Sequence, residues 1–394
     1  MAANATVLVV GGGHAEIPLI RAAHAIGYRV ITTGNRPDDL GHAHADLYVP
    51  ADFSKPEEIL DVAVTHDVSA IVSGCNDFAM LSTAFVCEKL GLPGHDSYET
   101  TVRIHHKDRF RELLEELQLD TPRSGVVHDA TQAVALCERI GYPVIVKPVD
   151  LTGGKGISVC DSPEQLSKAV DDALVLSRQD YVVVEQFLTG TRHGFTCFVN
   201  DQCVGFWFAD DEQYFLNPFL VSGTTTPTSM PQWALDELVG AVDTIASRLE
   251  LVDGLVHVQC IMTEAGPRII EVCRRCPGDL YPVFVELSTD YGYADAVVRS
   301  ECGLAAGASP VGDRRGCITR HCIMPAREGV LRSVEFDQEV TARIVDEMVW
   351  WSPGQTVDNH LTQKFGIIFL SFENSDEMHD LTGQLGSRVS VDMT

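Results

Sequence analysis

The sequence predicts an α/β chain that opens with a doubly wound parallel sheet, continues as α+β layers and closes in a small β-rich domain. Three observations predict it. Over the first hundred residues, apolar strand-like runs alternate with segments of helical periodicity, the pattern of repeated βαβ units. Near Ser97 the alternation stops, and a long charged helical stretch gives way to hairpins and isolated helices. Beyond Gly316 short strands dominate. The boundaries implied are 1–98, 99–308 and 309–394.

Each element has a local reason. "TVLVVGG" is a short apolar run bounded by glycine, a buried strand. "EIPLIRAAHAIG" carries apolar residues at helical spacing and stops at Gly27. "YRVITTG", "ADLYVPAD" and "VSAIVSG" supply three more strands, with the helix "PEEILDVAVTHD" between the last two. "YETTVRIHHKDRFRELLEELQL" reads as two helices broken near His105. "YPVIVKPV" and "YVVVEQFL" are strands, and "SPEQLSKAVDDALVLS" is a helix opened by a Ser-x-x-Gln capping box. "GFTCFVNDQCVGFWFAD" is a hairpin turning at Asn200-Asp201, "WALDELVGAVDTIASRLEL" a helix, and "GLVHVQCIMTEAGPRIIEVC" two strands joined at Glu264-Ala265-Gly266. "GCITRHCIMP", "GVLRSVEF", "MVWWSPGQTV" and "KFGIIFLSF" are strands, and "SDEMHDLTGQL" is helical.

Composition narrows the function classes. With 394 residues the chain is long enough for two or three domains, and its apolar content supports a sizeable core. A net charge of −27 argues against a nucleic-acid binder, because phosphate backbones recruit basic patches. Twelve scattered cysteines, mostly in apolar runs, fit free thiols in a reducing cytoplasm. Cys273 and Cys276 form a CxxC pair, but without a second pair they do not make a zinc site. The N-terminus has no basic n-region, and no run reaches the ~20 apolar residues of a membrane span.

"VVGGGHAE" lies between a strand and a helix, a setting suited to phosphate. As a dinucleotide fingerprint it fails, because Glu16 stands where a small residue is needed and its charge would repel a pyrophosphate. The expectation is a tight turn. A nicotinamide-dependent oxidoreductase would rest on this motif alone.

The middle of the chain is more telling. Only seven lysines occur, and Lys107, Lys147 and Lys155 fall together. "TGGKGI" adds Gly153, Gly154 and Gly156. Lysine charges and glycine amides can cradle a triphosphate, though the spacing is not that of a P-loop. Glu185 ends an apolar strand, where its carboxylate can accept from an adenine amino group while the N–H of Phe187 donates to the ring. Gln259 and Glu271 sit on neighbouring strands; two oxygen ligands facing one cavity, completed by phosphates and water, suit Mg²⁺. "RIIEVCRRCPGD" then places Arg274 and Arg275 directly after this carboxylate strand. Parity aims Arg275 to the same side as Glu271 and leaves Arg274 solvated or ion-paired.

Together these residues resemble the ATP-grasp superfamily of carboxylate–amine ligases, in its L-amino-acid-ligase and purine-biosynthesis-like branch. The likeness spans essentially the whole chain, from "VLVVGGGHAEIPLIRAAHAIGYRVI" through "IEVCRRCPGDLYPVFVELSTDYGYADAVVRSECG" to "WWSPGQTVDNHLTQKFGIIFLSFENSDE". It implies a pre-grasp domain, a nucleotide-clamping core and a C-terminal ligase domain. It implies that Lys107 and Lys147 contact phosphates, that Gly153, Gly154, Lys155 and Gly156 close over them, and that Glu185 and Phe187 recognise adenine. It makes Gln259 and Glu271 the metal ligands and Arg275 the contact to the transferred phosphate. The implied reaction uses ATP and Mg²⁺ to join small, amino-acid-like carboxylate and amine substrates through an acyl phosphate. Room is left for a homodimer.

Two positions depart from the family. Cys273 stands where an oxygen donor completes the metal site, and thiols suit Mg²⁺ poorly. Arg192 stands where a ribose-binding carboxylate is common. These departures keep open an ATP-binding homologue with lost or altered ligase activity. His257 and Asp279 are the candidate bases for the amine. "FWFADDEQYFLNPFLVSGTTTPTSMP" and "GDLYP" are the segments expected to set specificity, with Trp207 and Tyr214 as lining or core.

Overall fold

The computed structural model describes residues 5–149, 151, 154, 156–305 and 316–394. The chain gathers into two compact units: one of Met1–His95, Phe208–Ser229 and Arg275–Thr394, the other of Asp96–Trp207 and Met230–Arg274. The first unit thus joins segments read from sequence as the opening and closing domains, and takes in stretches read as core. The expected boundary after residue 308 lies outside the described residues.

In the first unit, Thr6–Val10 runs between Arg29–Gly34 and Ala70–Ser73, with Leu47–Pro50 beyond Arg29–Gly34, and every pairing is parallel. This is the sheet the strand–helix alternation predicts. The helix Ile17–Ile26 ends at Gly27, whose φ of 99° a side chain would resist. The glycine turn is tight. A Cβ on Gly12 would lie 1.9 Å from the His42 ring, and Glu16 turns its carboxylate back to accept from the Cys75 N–H at 2.8 Å. A separate antiparallel run in this unit follows the order 203–213, 223–226, 317–323, 366–372, 344–349, of which the first strand begins in the other unit. The short threonine strand Gly223–Thr226 was not read from sequence. A three-stranded sheet of Thr356–Val357, Gly329–Phe336 and Val389–Met393 packs its apolar side chains with Phe365, Ile368 and Leu370.

In the second unit, Ser124–Val127, Val182–Gln186, Val144–Pro148 and Ser158–Cys160 form an antiparallel sheet in that order. Alternation gives it two unlike faces. Val144, Val146, Val182 and Val184 point into a core shared with the helices Ala130–Ile140 and Pro163–Leu176. The latter helix has the expected cap: Ser162 accepts from the Gln165 N–H, and Gln165 reaches back to the Asp161 N–H at 2.8 Å. The opposite face carries Lys147 and Glu185. The strands Gly266–Cys273, Gly254–Thr263 and Thr191–Asn200 form a second antiparallel group. The helices Tyr98–His105 and Lys107–Glu116 break at His106, as predicted. The hairpin after Asn200 turns on Asp201 and Gln202, with φ of 51° and 63°, one residue later than expected.

All twelve cysteines are free thiols; ten are buried and Cys203 is exposed. Among the described residues no helix is long and apolar enough to cross a membrane.

Candidate active site

The polar face of the sheet around Lys147 is built by strand register. Ile145 pairs with Glu185 and Lys147 with Val183, so Lys147 and Glu185 are diagonal neighbours on one face. Lys147 Nζ donates to Glu185 Oε2 at 2.6 Å. From the helix Lys107–Glu116, Arg111 Nε donates to Glu185 Oε1 at 2.8 Å and its Nη2 to the Ile270 carbonyl at 2.7 Å. Burial of Glu185 works to raise its pKa, but the Arg111 and Lys147 charges overrule it and hold the carboxyl down at about 2. Burial lowers the pKa of Lys147, as does the Arg111 charge, against the upward pull of Glu185; the net shift is downward. One turn before Arg111, Lys107 Nζ donates to the Leu151 carbonyl at 3.1 Å.

The two groups expected to meet adenine have partners of their own here. Both oxygens of Glu185, a residue 1 % exposed, accept from cations. The Phe187 N–H donates to the Pro143 carbonyl at 3.0 Å, because the strand ladder runs one residue past its end. A backbone donor to a ring must come from beyond it. Gly153 and Lys155 lie outside the described residues. Gly154 and Gly156 have φ of 73° and 70°, which favour glycine, and a Cβ on Gly156 would press within 2.8 Å of Pro148.

Gln259 and Glu271 are paired directly across two antiparallel strands, which sets their Cβ atoms about 5 Å apart on one face. His257 and Cys273 form the next same-face pair. Two half-buried oxygen donors side by side fit one face of a hard cation's shell. Among the described residues no three His, Cys, Asp or Glu side chains gather as a metal site, so any ion here needs phosphate and water to complete it. A bulge follows: Gln259 pairs with Glu271 but Cys260 with Ile269, leaving Ile270 out of the ladder. Its carbonyl is the one that Arg111 takes.

The two adjacent arginines have separate anchors. Arg274, in the second unit, is buried and donates to Asp96 Oδ2 at 2.7 Å and to the Leu255 and Val252 carbonyls, each at 2.6 Å. Arg275, in the first unit, is half-buried; its Nε donates to Asp77 Oδ1 at 2.6 Å and its Nη1 to the Cys276 carbonyl at 3.2 Å. Nearby in sequence, Asp279 has φ of 57° and accepts from Lys364 Nζ at 2.5 Å, with His14 at 3.6 Å. Burial would raise its pKa, but Lys364, His14 and Arg320 hold it far below the carboxylate range. Asp279 is therefore a poor base, which removes one of the two candidates. Arg320 donates to the Gly278 and Asp279 carbonyls and to Thr224. Asp210, fully buried, accepts from the Tyr281 hydroxyl at 2.5 Å, and burial raises its pKa well above normal. Of the three successive acidic residues 210–212, Asp210 belongs to the core.

Sequence reasoning missed Arg111, Arg320 and Lys364. Arg111 left one signal: it lies four residues after Lys107 and so shares its helix face.

The chain is similar to several known proteins. Residues 106–203 match the family model described as the ATP-binding domain of the carbamoyl-phosphate synthase L chain. A formate-dependent phosphoribosylglycinamide formyltransferase of Synechococcus sp. (strain WH7803) is 31 % identical over 187 residues, covering 47 % of this chain and 48 % of the relative. The matches span about half the length of the curated relatives. The structure of an L-amino acid ligase from Bacillus licheniformis superposes over 100 % of both chains, with a TM-score of 0.84 and 19 % identity. The biotin carboxylase domain of the Hydrogenobacter thermophilus 2-oxoglutarate carboxylase, solved with magnesium ADP and bicarbonate, superposes over 98 % of this chain and 91 % of that one, with a TM-score of 0.80 and 16 % identity. The class these define is the ATP-grasp fold. The chain has this fold, and its residues 106–203 match an ATP-binding domain.

The lowered pKa of Lys147 has a measurable sign. An ammonium attracts anions where a neutral amine does not, and burial makes Lys147 lose that form at a lower pH than an ordinary lysine. MgATP affinity, measured by calorimetry between neutral pH and pH 10, should fall on the alkaline side, while Lys147→Arg stays flat because a guanidinium remains charged. A flat profile for the unaltered protein would show that Lys147 does not contact the anion.

Proposed function

We propose that the chain is an ATP-dependent carboxylate–amine ligase. The observation that carries this reading is the cationic face of Lys107, Lys147 and Arg111 in a segment matching an ATP-binding domain, on a chain whose whole length follows an amino acid ligase fold. The carboxylate substrate attacks the γ-phosphorus of ATP, the bond to the bridging oxygen breaks, and ADP leaves with its electron pair. The acyl phosphate formed is attacked by the amine, the carbon–oxygen bond breaks, phosphate departs and the amine loses a proton. Lys107 and Lys147 hold the phosphates in register, supplying position and charge rather than covalent chemistry. Magnesium held by Gln259 and Glu271 would neutralise phosphate charge. Arg275, four residues after Glu271, would meet the transferred phosphate. Amino-acid-like acids and amines are the proposed substrates.

Lys107→Ala and Lys147→Ala should each weaken MgATP binding about tenfold or more, since each removes a charge-assisted contact. Pooled amino acids should stimulate ADP and phosphate release in equal amounts. Unchanged affinity in both variants would overturn the nucleotide assignment. Binding without turnover across a broad screen of acid and amine pairs would leave an ATP-binding homologue and overturn the ligase.

A further inference from the structure

Glu185 is a single carboxylate between two cations, and that imbalance has a consequence. A buried lysine paired with one carboxylate is a neutral unit, with little field left for a phosphate. Here the carboxylate is shared: Arg111 Nε takes Oε1 at 2.8 Å while Lys147 Nζ takes Oε2 at 2.6 Å. Arg111 is 3 % exposed, and its fork is steadied from the other side by a neutral acceptor, the Ile270 carbonyl that the bulge leaves out of the ladder. A carbonyl fixes the guanidinium without cancelling its charge. The remaining nitrogen, Nη1, is buried and has no partner among the described residues. The group as a whole therefore retains one positive charge, buried except at the Lys147 side chain, which is 14 % exposed, and so less screened than in water.

We propose that Arg111 is a positioning residue for nucleotide binding: by sharing Glu185, it leaves the Lys147 ammonium uncompensated and available to a phosphate. Glu185 in turn fixes Lys147 at the diagonal position and permits two cations to be buried side by side. This rests on the nucleotide reading above, and the test separates the two.

Calorimetric titration of the full chain with MgATP reads the effect. Arg111→Met leaves a neutral Lys147–Glu185 pair and should weaken binding about tenfold, the scale of one lost charge-assisted contact. Arg111→Lys keeps the charge and should lose less. The decisive variant is Arg111→Met with Glu185→Gln, in which Lys147 is again uncompensated; its affinity should return to within about threefold of the unaltered protein. A role in packing alone predicts the opposite, since two buried substitutions would add their damage. If the double variant binds no better than Arg111→Met, the charge-sharing role is overturned. Should Arg111→Met fail to fold, Arg111→Gln with and without Glu185→Gln carries the same comparison. If the unaltered protein itself does not bind MgATP, the nucleotide reading falls; if it binds and no rescue appears, only the role of Arg111 falls.

Discussion

Arg274→Ala is expected to lower folding stability by about 3–5 kcal/mol, seen as a fall in the urea midpoint with an unchanged slope. Arg274 and Asp96 are both almost wholly buried. The guanidinium satisfies the Asp96 carboxylate and the carbonyls of Leu255 and Val252 at once. The other Asp96 oxygen accepts from the Val252 N–H at 2.8 Å, so the pair ties the segment around 252 to the start of the second unit. Truncation strands a buried charge and two carbonyls, and the stranded groups account for most of the cost. Arg274→Lys should also be clearly destabilising, because one ammonium cannot reach three acceptors set around a planar fork. Pairing Arg274→Met with Asp96→Asn, which removes the stranded charge and keeps an acceptor for the Val252 N–H, should regain part of the loss. A change below about 1 kcal/mol for Arg274→Ala would mean that water reaches the site.

Arg275→Lys is expected to lower turnover by about 10²–10³ while MgATP affinity changes little. Its Nε is held by Asp77 at the start of the helix Asp77–Leu90, and one Nη by the Cys276 carbonyl, so the fork has a fixed plane. A fixed fork can follow charge as it moves onto the acyl phosphate, and an interaction made mainly in the transition state appears in turnover rather than in affinity. Steady-state rates with a responsive acid and amine pair, beside calorimetric MgATP titration, separate the two quantities. A variant with full turnover would remove Arg275 from the reaction and reopen the assignment of Glu271.

The fold class was legible because its signals are local. The strand–helix alternation before residue 98, the helix stop at Gly27 and the cap at Ser162 depend on neighbours a few residues away. Lys107, Lys147, Gln259 and Glu271 are picked out as candidates for a related reason: scarce lysines beside glycines, and polar residues in apolar strands, stand out against their surroundings. What was not legible depends on contacts distant in sequence. Nothing near Glu185 reveals that Arg111, 74 positions earlier, takes one of its oxygens. Lys364 meets Asp279 across 85 positions and helps hold this apparent base far below the carboxylate range. Strand parity could rank Arg274 below Arg275 for catalysis, yet it could not show that Arg274 is buried, because Asp96 lies 178 positions away. The partner of the Phe187 N–H was not legible either: whether a strand ladder stops at Gln186 or runs on to Phe187 is decided by hydrogen bonding to the neighbouring strand.

The exposed thiol on the hairpin strand gives the protein a practical handle. Ten cysteines are buried and Cys75 is only partly accessible, so a maleimide dye or a thiol-reactive support should attach first at Cys203. Attachment there follows the turn at Asp201 and Gln202 and places a probe on a β-strand rather than on a mobile tail. The same accessibility is a hazard in storage. Two chains joined through Cys203 in air would run as a covalent pair, and any claim of a homodimer must first be made in the presence of a reductant.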